Sequence, residues 1–290
     1  MLLAEKLRAE IVSVDSMQVY RGLDIGTAKP SAEERRRVPH HLIDVAELTQ
    51  SFDVARFVDL AGNTVKEIKR RGKVSLLCGG TGLYFKAFLE GLGDAPPAAP
   101  ILRAELERLP AEERLRELAE RDPETFQRID QKNPRRVIRA LEVIRLTGKP
   151  FSAQRAQWSQ LSPEYFCVGL SRASGDLRRR IDLRVEKMFA EGLVAETEQL
   201  LKSGLQQNQT ASQALGYRQV IEHLQGLRPL AETVELVKIR TRQFAKRQHT
   251  WFRNLVECTA VKITGTETPR EIAELLQAMD VRNVCHGRVG

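Results

Sequence analysis

The sequence predicts an α/β protein in which a parallel sheet is interrupted by an all-helical insertion. Strand-like and helix-like segments alternate near both ends of the chain, which is the order typical of a parallel sheet with crossover helices. Between residues 101 and 160 every segment has helical spacing, is rich in Glu, Arg and Leu, and contains no strand candidate. We therefore expect a core formed by 1–94 and 163–280, a helical insertion at 95–162 and a frayed tail at 281–290.

Helices are expected where apolar residues recur every three or four positions, and strands where short apolar runs are bounded by turn residues. The proline-rich stretch 94–100 has the composition of a linker and precedes the helical part. In chain order the expected elements are a helix end at 2–9, a strand at 10–15, a helix at 52–71, a strand at 73–78, a helix from Leu83, a strand at 165–170, helices between 176 and 255, a strand at 261–264 and a helix at 269–278.

Composition excludes several classes of protein. The 290 residues are 42% hydrophobic and 29% charged, and no stretch approaches the roughly eighteen apolar residues that a membrane span requires. The first ten residues mix apolar and charged side chains and do not resemble a secretory signal. The four cysteines are far apart with no C-x-x-C pair, which argues against zinc and against a disulfide framework. Reduced thiols in a cytoplasmic protein are expected.

The charge indicates an anionic partner. The chain carries a formal net charge of +8 and a pI near 9.5. A run of basic residues is often no more than a solvated helix face, but three such runs in one chain favour phosphate contacts. The three runs are Arg135, Arg136 and Arg139; Arg178, Arg179, Arg180 and Arg184; and Arg240, Arg242, Lys246, Arg247 and Arg253.

An aspartate stands where the first strand is expected to end. Asp15 follows an apolar run, and open parallel sheets hold their ligands at the carboxyl ends of the strands. Gly26 and Lys29, which precedes Pro30, restrict the loop that follows. Taken alone, Asp15 could be a turn cap or a functional carboxylate.

The whole segment Asp15–Pro30 resembles the signature D-S-x-Q-x-Y-x-x-x-x-I-G-T-A-K-P of the tRNA dimethylallyltransferase family, also called isopentenylpyrophosphate transferases. Four more segments resemble blocks of that family in its order and spacing. They are Gly79–Tyr84, Asn133–Glu142, Gln213–Arg218 and Thr241–Gln248. The resemblance implies a phosphate-loop-NTPase-like parallel core in a monomeric enzyme.

The resemblance also implies a reaction. Such enzymes move a dimethylallyl group from dimethylallyl diphosphate to N6 of adenosine 37, beside the tRNA anticodon, and release diphosphate. The N6 lone pair is delocalised into the ring, so a carboxylate that takes its proton assists attack. By family position Asp15 is this base, Thr81 lies at the reacting centre, and Arg103 and Arg184 contact the diphosphate. The leaving group gains charge, so Mg²⁺ is the expected cofactor.

The adenine must leave its stack to reach a buried carboxylate. By family position four consecutive residues line the pocket for this base: Asp15, Ser16, Met17 and Gln18. Two further groups are implied to hold the neighbouring loop through phosphate and stacking contacts, with the Tyr217 ring as a stacking candidate. They are Arg135, Arg136, Val137, Ile138 and Arg139 in the insertion, and Gln213, Ala214, Leu215, Gly216, Tyr217 and Arg218 near the C-terminal end.

The chain departs from the family at its start. Members begin with a strand and a phosphate loop of the form G-P-T-x-x-G-K-T, and this chain contains no G-x-x-x-x-G-K-[ST] sequence. The first strand is central in phosphate-loop folds, so its absence should expose apolar surface on 11–14 and 74–77. The expectation is a start-site truncation that binds prenyl diphosphate weakly and is poorly folded.

Three alternatives compete with a tRNA prenyltransferase. A non-catalytic RNA-binding remnant would keep the arginine runs but has no need of Asp15, Thr81 and Arg184. An adenylate isopentenyltransferase would use the same chemistry on a free nucleotide, although the helical insertion and its arginines favour tRNA. A nucleotide kinase would share the fold, but it needs a phosphate loop and has no use for the D-S-x-Q and I-G-T-A-K-P segments.

Overall fold

The computed structural model describes residues 1–93, 95–154, 165–253 and 258–286. The chain divides into two compact units. The first combines Met1–Phe88 with Leu161–Gly290, and the second is Leu89–Gln160. The second unit overlaps the insertion expected at 95–162 and begins slightly earlier.

The first unit holds all the strands and most of the long helices. Before the second unit its elements are α1 (Leu2–Leu7), β1 (Glu10–Val14), α2 (Ala32–Arg37), β2 (His40–His41), α3 (Val54–Arg70), β3 (Ser75–Gly79) and α4 (Gly82–Glu90). Helix α4 continues into the second unit. After the second unit the strands are β4 (Cys167–Arg172) and β5 (Cys258–Ile263). The second unit's helices are α5 (Pro100–Arg108), α6 (Ala111–Arg121), α7 (Pro123–Arg128) and α8 (Pro134–Thr147). The helices that follow β4 are α9 (Ser174–Ala190), α10 (Leu193–Lys202), α11 (Tyr217–Leu224), α12 (Leu230–Arg253) and α13 (Pro269–His286).

The sheet is parallel and lies in two pieces. In the first piece β1 is central, with β2 on one side and β3 on the other. The register pairs Val14, the last residue of β1, with Gly79, the last residue of β3. In the second piece β4 pairs with β5. Over the described ranges, β2, β3, β4 and β5 each keep one edge that has no ladder partner.

The strand β1 is buried along its whole length. Val12 and Val14 belong to a core that includes Phe57 of α3, and Ile11 packs in a separate cluster with α1. The expectation that Ile11, Val12 and Val14 lack cover is therefore wrong, because β1 is sandwiched between two strands and covered by α1 and α3. Its neighbour is more open: Val74, just before β3, is 49% exposed.

Glu10 begins β1 with a buried carboxylate. His41 lies 2.7 Å from it, Arg71 donates to it at 2.7 Å, and Lys73 lies 3.1 Å away. Burial alone would raise the pKa of Glu10, but the hydrogen bonds from these three side chains outweigh it and lower the pKa to about 2. This end of the strand is thus held by charges, while the other end carries Asp15.

The second unit has its own apolar core, which lies among α5, α6 and α8. Helix α8 begins at Pro134 after Asn133, whose side chain accepts the Arg136 N–H, and ends before Gly148 at φ 72°. The buried residues of this core are Leu106, Leu118, Val137, Ile138, Ala140, Leu141 and Ile144.

Two expectations about the fold are corrected. Cys167 and Cys258 are opposite each other in the β4–β5 register and form a disulfide, whereas the sequence led us to expect reduced thiols. The expected frayed tail begins at 281, but α13 continues to His286. Among the described residues no helix is both long enough and apolar enough to cross a membrane.

Candidate active site

Asp15 lies directly after the end of β1 and shapes the turn that follows. Its Oδ1 atom accepts the Met17 N–H at 2.8 Å and the Gln18 N–H at 3.2 Å. No described residue forms a hydrogen bond with Oδ2. The turn-cap alternative therefore accounts for one oxygen of Asp15 and leaves the other for chemistry.

Thr81 lies beside this turn. Its Oγ1 atom accepts the Ser16 N–H at 3.1 Å, and its own N–H donates to the Val14 carbonyl at 3.2 Å. Since Val14 and Gly79 are paired at the ends of their strands, the turns after β1 and β3 emerge side by side. Asp15 and Thr81, which are 66 positions apart in the chain, are thus brought to one edge of the sheet.

The glycines of the Gly79–Gly82 turn are required by close neighbours. A Cβ on Gly79 would lie 2.2 Å from the Val14 carbonyl oxygen, and one on Gly82 would lie 2.6 Å from the Trp251 ring. A Cβ on Gly80 would lie 2.0 Å from Nε2 of Gln248, which donates to the Gly80 carbonyl at 3.0 Å. Helix α12 therefore packs directly on the turn that carries Thr81. Glycines at 79, 80 and 82 were a sequence signal, but their partners on α12 were not predictable.

Gln18 connects the strand to the loop that follows Asp15. The Ser13 hydroxyl donates to Gln18 Oε1 at 2.9 Å, and Gln18 Nε2 donates to the Thr27 carbonyl at 3.1 Å. The same loop is fixed by Lys29, whose side chain is 2% exposed. Its Nζ donates to the Tyr20 carbonyl at 2.6 Å and to Asp44 at 2.5 Å. These contacts hold the Gln and Lys side chains of the motif in fixed positions.

The C-terminal group of expected RNA contacts is mostly buried. The Tyr217 ring is 0% exposed, so the expectation that it stacks on a base is wrong in this structure: the ring packs under the loop at Gly26. Ala214 and Gly216 are also buried, and Leu215 packs against α9 and α12. Only Gln213 and Arg218 are exposed, and they form a hydrogen bond at 3.0 Å.

Arg184 lies exposed on α9. The preceding turn of this helix is tied to Asp176, which binds Arg172, Arg179 and Arg180. Within the described ranges Arg184 itself has no ion pair, and no hydrogen bond joins it to Asp15 or Thr81. Its guanidinium is accessible to a ligand, as the expected diphosphate role requires.

In the second unit, two expected ligand-binding arginines are paired with Glu142. Arg103 donates to the Glu142 carboxylate at 2.8 Å, and Arg139 donates to it at 2.6 Å and to the Pro96 carbonyl at 2.6 Å. Glu142 is fully buried. Burial raises its pKa, but Arg139, Arg103 and the Ala99 N–H outweigh that effect and lower it. Both arginines therefore have a structural partner that sequence reasoning did not predict.

The remaining expected contacts on α8 divide by exposure. Val137 and Ile138 are in the core of the second unit, so their side chains face away from any solvent-borne RNA. Arg135 and Arg136 are exposed at the start of the helix. The helix face that carries the arginines is thus accessible, while the expected contribution of the Val137 and Ile138 side chains is corrected to a packing role.

Comparison with known proteins identifies the family. A family model described as IPP transferase matches residues 18–255. The chain belongs to the IPP transferase family. It is 48% identical over 260 residues to a protein from Trichlorobacter lovleyi named tRNA dimethylallyltransferase 1, covering 87% of this chain and 85% of the relative.

Two solved structures of IPP transferase type resemble the model. The full-length tRNA isopentenylpyrophosphate transferase of Bacillus halodurans is 39% identical with a TM-score of 0.70, covering 97% of this chain and 90% of that one. A eukaryotic dimethylallyltransferase described as acting on tRNA is 25% identical with a TM-score of 0.80, covering 100% of this chain and 76% of that one. The α/β fold with a small parallel sheet is confirmed by these matches.

In this IPP transferase, Asp15 and Thr81 follow the ends of two neighbouring parallel strands. Asp15 Oδ1 is held by the Met17 N–H, and Thr81 Oγ1 accepts the N–H of Ser16. No group of three His, Cys, Asp or Glu side chains with metal-binding geometry occurs among the described residues.

Proposed function

We propose that this chain is a tRNA dimethylallyltransferase that transfers a dimethylallyl group from dimethylallyl diphosphate to N6 of adenosine 37. The observation that supports the proposal is the hydrogen bond from the N–H of Ser16, the residue after Asp15, to Thr81 Oγ1, which joins the turns after β1 and β3. The names of the relatives support the substrate and the reaction. A non-catalytic remnant has no need of this arrangement, which favours the enzyme.

The chemistry follows from Asp15. The N6 nitrogen attacks C1 of the dimethylallyl group, the C1–oxygen bond breaks, and the bonding electrons leave with diphosphate. The N6 proton passes to Asp15 Oδ2, the oxygen that the turn does not use, while Oδ1 stays bound to Met17 and Gln18. The two backbone bonds hold the carboxylate in place as its protonation changes.

The diphosphate requires positive charge. Arg184, an exposed arginine of the first unit, supports a contact with the diphosphate. Mg²⁺ remains part of the proposal, because Mg²⁺ at phosphate-binding sites is commonly held by one or two carboxylates together with substrate phosphates.

A strand and a phosphate loop placed before residue 1 would fit the open sheet. Since β1 already has a neighbour on both sides, a further strand would pair at an edge strand of the described sheet pieces, which are β2, β3, β4 and β5. The edges of β3 and β4 are two of these positions. These edges belong to neighbouring parts of the unit: Phe88 of α4, the helix after β3, packs its ring 5.8 Å from the ring of Tyr165, just before β4. A parallel strand beside β3 would bring a phosphate loop to the carboxyl ends of the strands, where Thr81 lies.

Each unit by itself presents exposed basic side chains that suit contacts with tRNA phosphates. Arg135 and Arg136 are exposed on α8, and Lys246 and Arg247 are exposed on α12. Arg242 is less available, because it is bound to Asp182 at 2.6 Å. We expect a monomer that acts in the cytoplasm, where tRNA is modified.

The test is a transfer assay with two acceptors. Two forms are compared: the 290-residue chain, and an extended form that carries a strand and a phosphate loop before residue 1. Each is incubated with dimethylallyl diphosphate, Mg²⁺ and either a tRNA anticodon stem-loop or AMP. We expect prenylation of adenosine 37 by the extended form and none of AMP. Transfer to AMP alone would support the adenylate branch, and no transfer to either acceptor by the extended form would overturn the proposal.

A further inference from the structure

Glu196 of α10 lies outside every motif discussed above, yet its carboxylate binds the loop after Asp15. Oε2 accepts the Ile25 N–H at 2.9 Å, and Oε1 lies 3.4 Å from the Gly26 nitrogen, whose N–H points to it. Oε1 also accepts the Tyr217 hydroxyl at 2.5 Å. One side chain thus satisfies donors from two parts of the chain that are far apart in sequence.

Tyr217 binds both Glu196 and the loop after Asp15. Its hydroxyl oxygen accepts the Gly26 N–H at 3.1 Å while donating to Glu196. The ring occupies the space beside Gly26, where a Cβ would lie 2.4 Å from Cε2 of the ring. Burial, together with the Glu196 carboxylate, raises the pKa of Tyr217 far above its ordinary value, so the hydroxyl keeps the proton that it donates.

The loop that Glu196 and Tyr217 bind is connected to the expected base pocket through Thr27. Thr27 follows Gly26, and the Thr27 carbonyl accepts the Gln18 amide at 3.1 Å. The other end of that amide accepts the Ser13 hydroxyl at 2.9 Å. The orientation of Gln18, three residues after Asp15, therefore depends on where the Gly26–Thr27 backbone is held.

We infer that Glu196, acting with Tyr217 through the Ile25–Thr27 backbone, is a positioning residue that orients Gln18 for recognition of the RNA base beside Asp15. The inference rests on the proposed function, because it assigns Gln18 a contact with RNA. A carboxylate suits this role since it accepts several N–H and O–H donors at once and has none of its own to misplace.

The first test compares Glu196→Gln and Tyr217→Phe with Glu198→Gln, which changes an exposed carboxylate on the same helix. The readout is the affinity of the full chain for a tRNA anticodon stem-loop, measured by fluorescence anisotropy over a range of salt concentrations. Glu196→Gln should raise Kd by about 10-fold, because a loop held by weaker hydrogen bonds spends a smaller fraction of the time with Gln18 oriented for binding. Tyr217→Phe should have a smaller effect in the same direction, and Glu198→Gln should match the wild type.

The salt dependence separates positioning from phosphate contact and from misfolding. Because no phosphate contact is removed, the slope of log K against log salt should equal that of the wild type. Partial unfolding would lower the fraction of active protein without changing Kd. Tyr217→Phe removes only one hydroxyl, so it keeps the test valid if Glu196→Gln fails to fold.

A double-mutant cycle with Gln18→Ala tests the route of the effect. If Glu196 acts through Gln18, adding Glu196→Gln to Gln18→Ala should weaken binding much less than it does in the wild type. Additive losses, or a wild-type Kd for both Glu196→Gln and Tyr217→Phe, would overturn the inference. A wild-type chain that fails to bind the stem-loop would instead overturn the proposed function, and the inference with it.

Discussion

Thr81 Oγ1 accepts the Ser16 N–H at 3.1 Å, and this bond ties the turn after β1 to the turn after β3. Thr81→Val removes the hydroxyl and keeps the shape, whereas Thr81→Ser keeps the hydroxyl. We expect Thr81→Val to lower kcat/KM for prenyl transfer by about 10²-fold, because small displacements of positioned groups are costly. Thr81→Ser should retain most of the activity. Equal activity of the two variants in a steady-state assay would remove Thr81 from the site.

Asp15→Asn should abolish prenyl transfer and leave the fold intact. The asparagine Oδ1 can still accept the Met17 and Gln18 N–H groups that define the turn, but the amide cannot take a proton. Loss of a general base typically lowers the rate by about 10²–10⁴-fold. Single-turnover transfer in the extended form is the measurement, with thermal melting and stem-loop binding as controls. Near-normal transfer would show that Asp15 is only a turn cap.

Arg136→Ala and Arg139→Ala should now differ, although the sequence alone predicts the same effect for both. Arg136 is exposed, so its loss should reduce the slope of log K against log salt for tRNA binding by about 0.7. Arg139 is bound to Glu142 and Pro96, so its loss should destabilise the second unit by about 1–3 kcal/mol. Arg128→Ala, which removes a helix-surface pair with Glu124, serves as the control. An unchanged slope for Arg136→Ala would identify a solvated face.

Stability should fall in acid partly because of Glu10. Its pKa is lowered from 4.5 to about 2 in the folded state, so its contribution is present above pH 4.5 and is lost as pH falls from about 4.5 towards 2. The contribution is at most about 3 kcal/mol. Glu10→Gln should lower the free energy of unfolding at pH 7 and flatten its pH dependence in that window. Denaturant titrations at several pH values measure both, and Glu33→Gln, at an exposed site on α2, should change neither.

Adding a strand and a phosphate loop before residue 1 should raise both stability and activity. Val74 is half exposed beside the open edge of β3, and covering a few hundred Å² of such surface contributes several kcal/mol at about 25 cal/mol per Å². Roughly 20 to 30 residues suffice for the strand and loop of a βαβ unit. Thermal melting and prenyl transfer are compared for both lengths. Full activity and a cooperative melt of the 290-residue chain without the added segment would contradict this prediction.

The sequence by itself determined most of the order of strands and helices, the helical second unit and the family, but it did not predict α2 or β2. These features are local: periodicity assigns each element, and the motif from Asp15 to Pro30 is one continuous segment. The sequence associated Thr81 with Asp15 only through the family resemblance. In the structure both residues follow parallel strands, whose carboxyl ends lie at the same side of the sheet.

Only the tertiary structure decided which partner each side chain has. Tyr217 could be a stacking ring or a core ring, and its burial against Gly26 depends on a contact between residues 191 positions apart. Arg103 looks like a free cation until Glu142, 39 positions later, is seen to bind it. Cys167 and Cys258 are 91 positions apart and meet only because β4 and β5 pair in that register. Such pairings depend on how elements pack, which the residues near each position in the sequence do not encode.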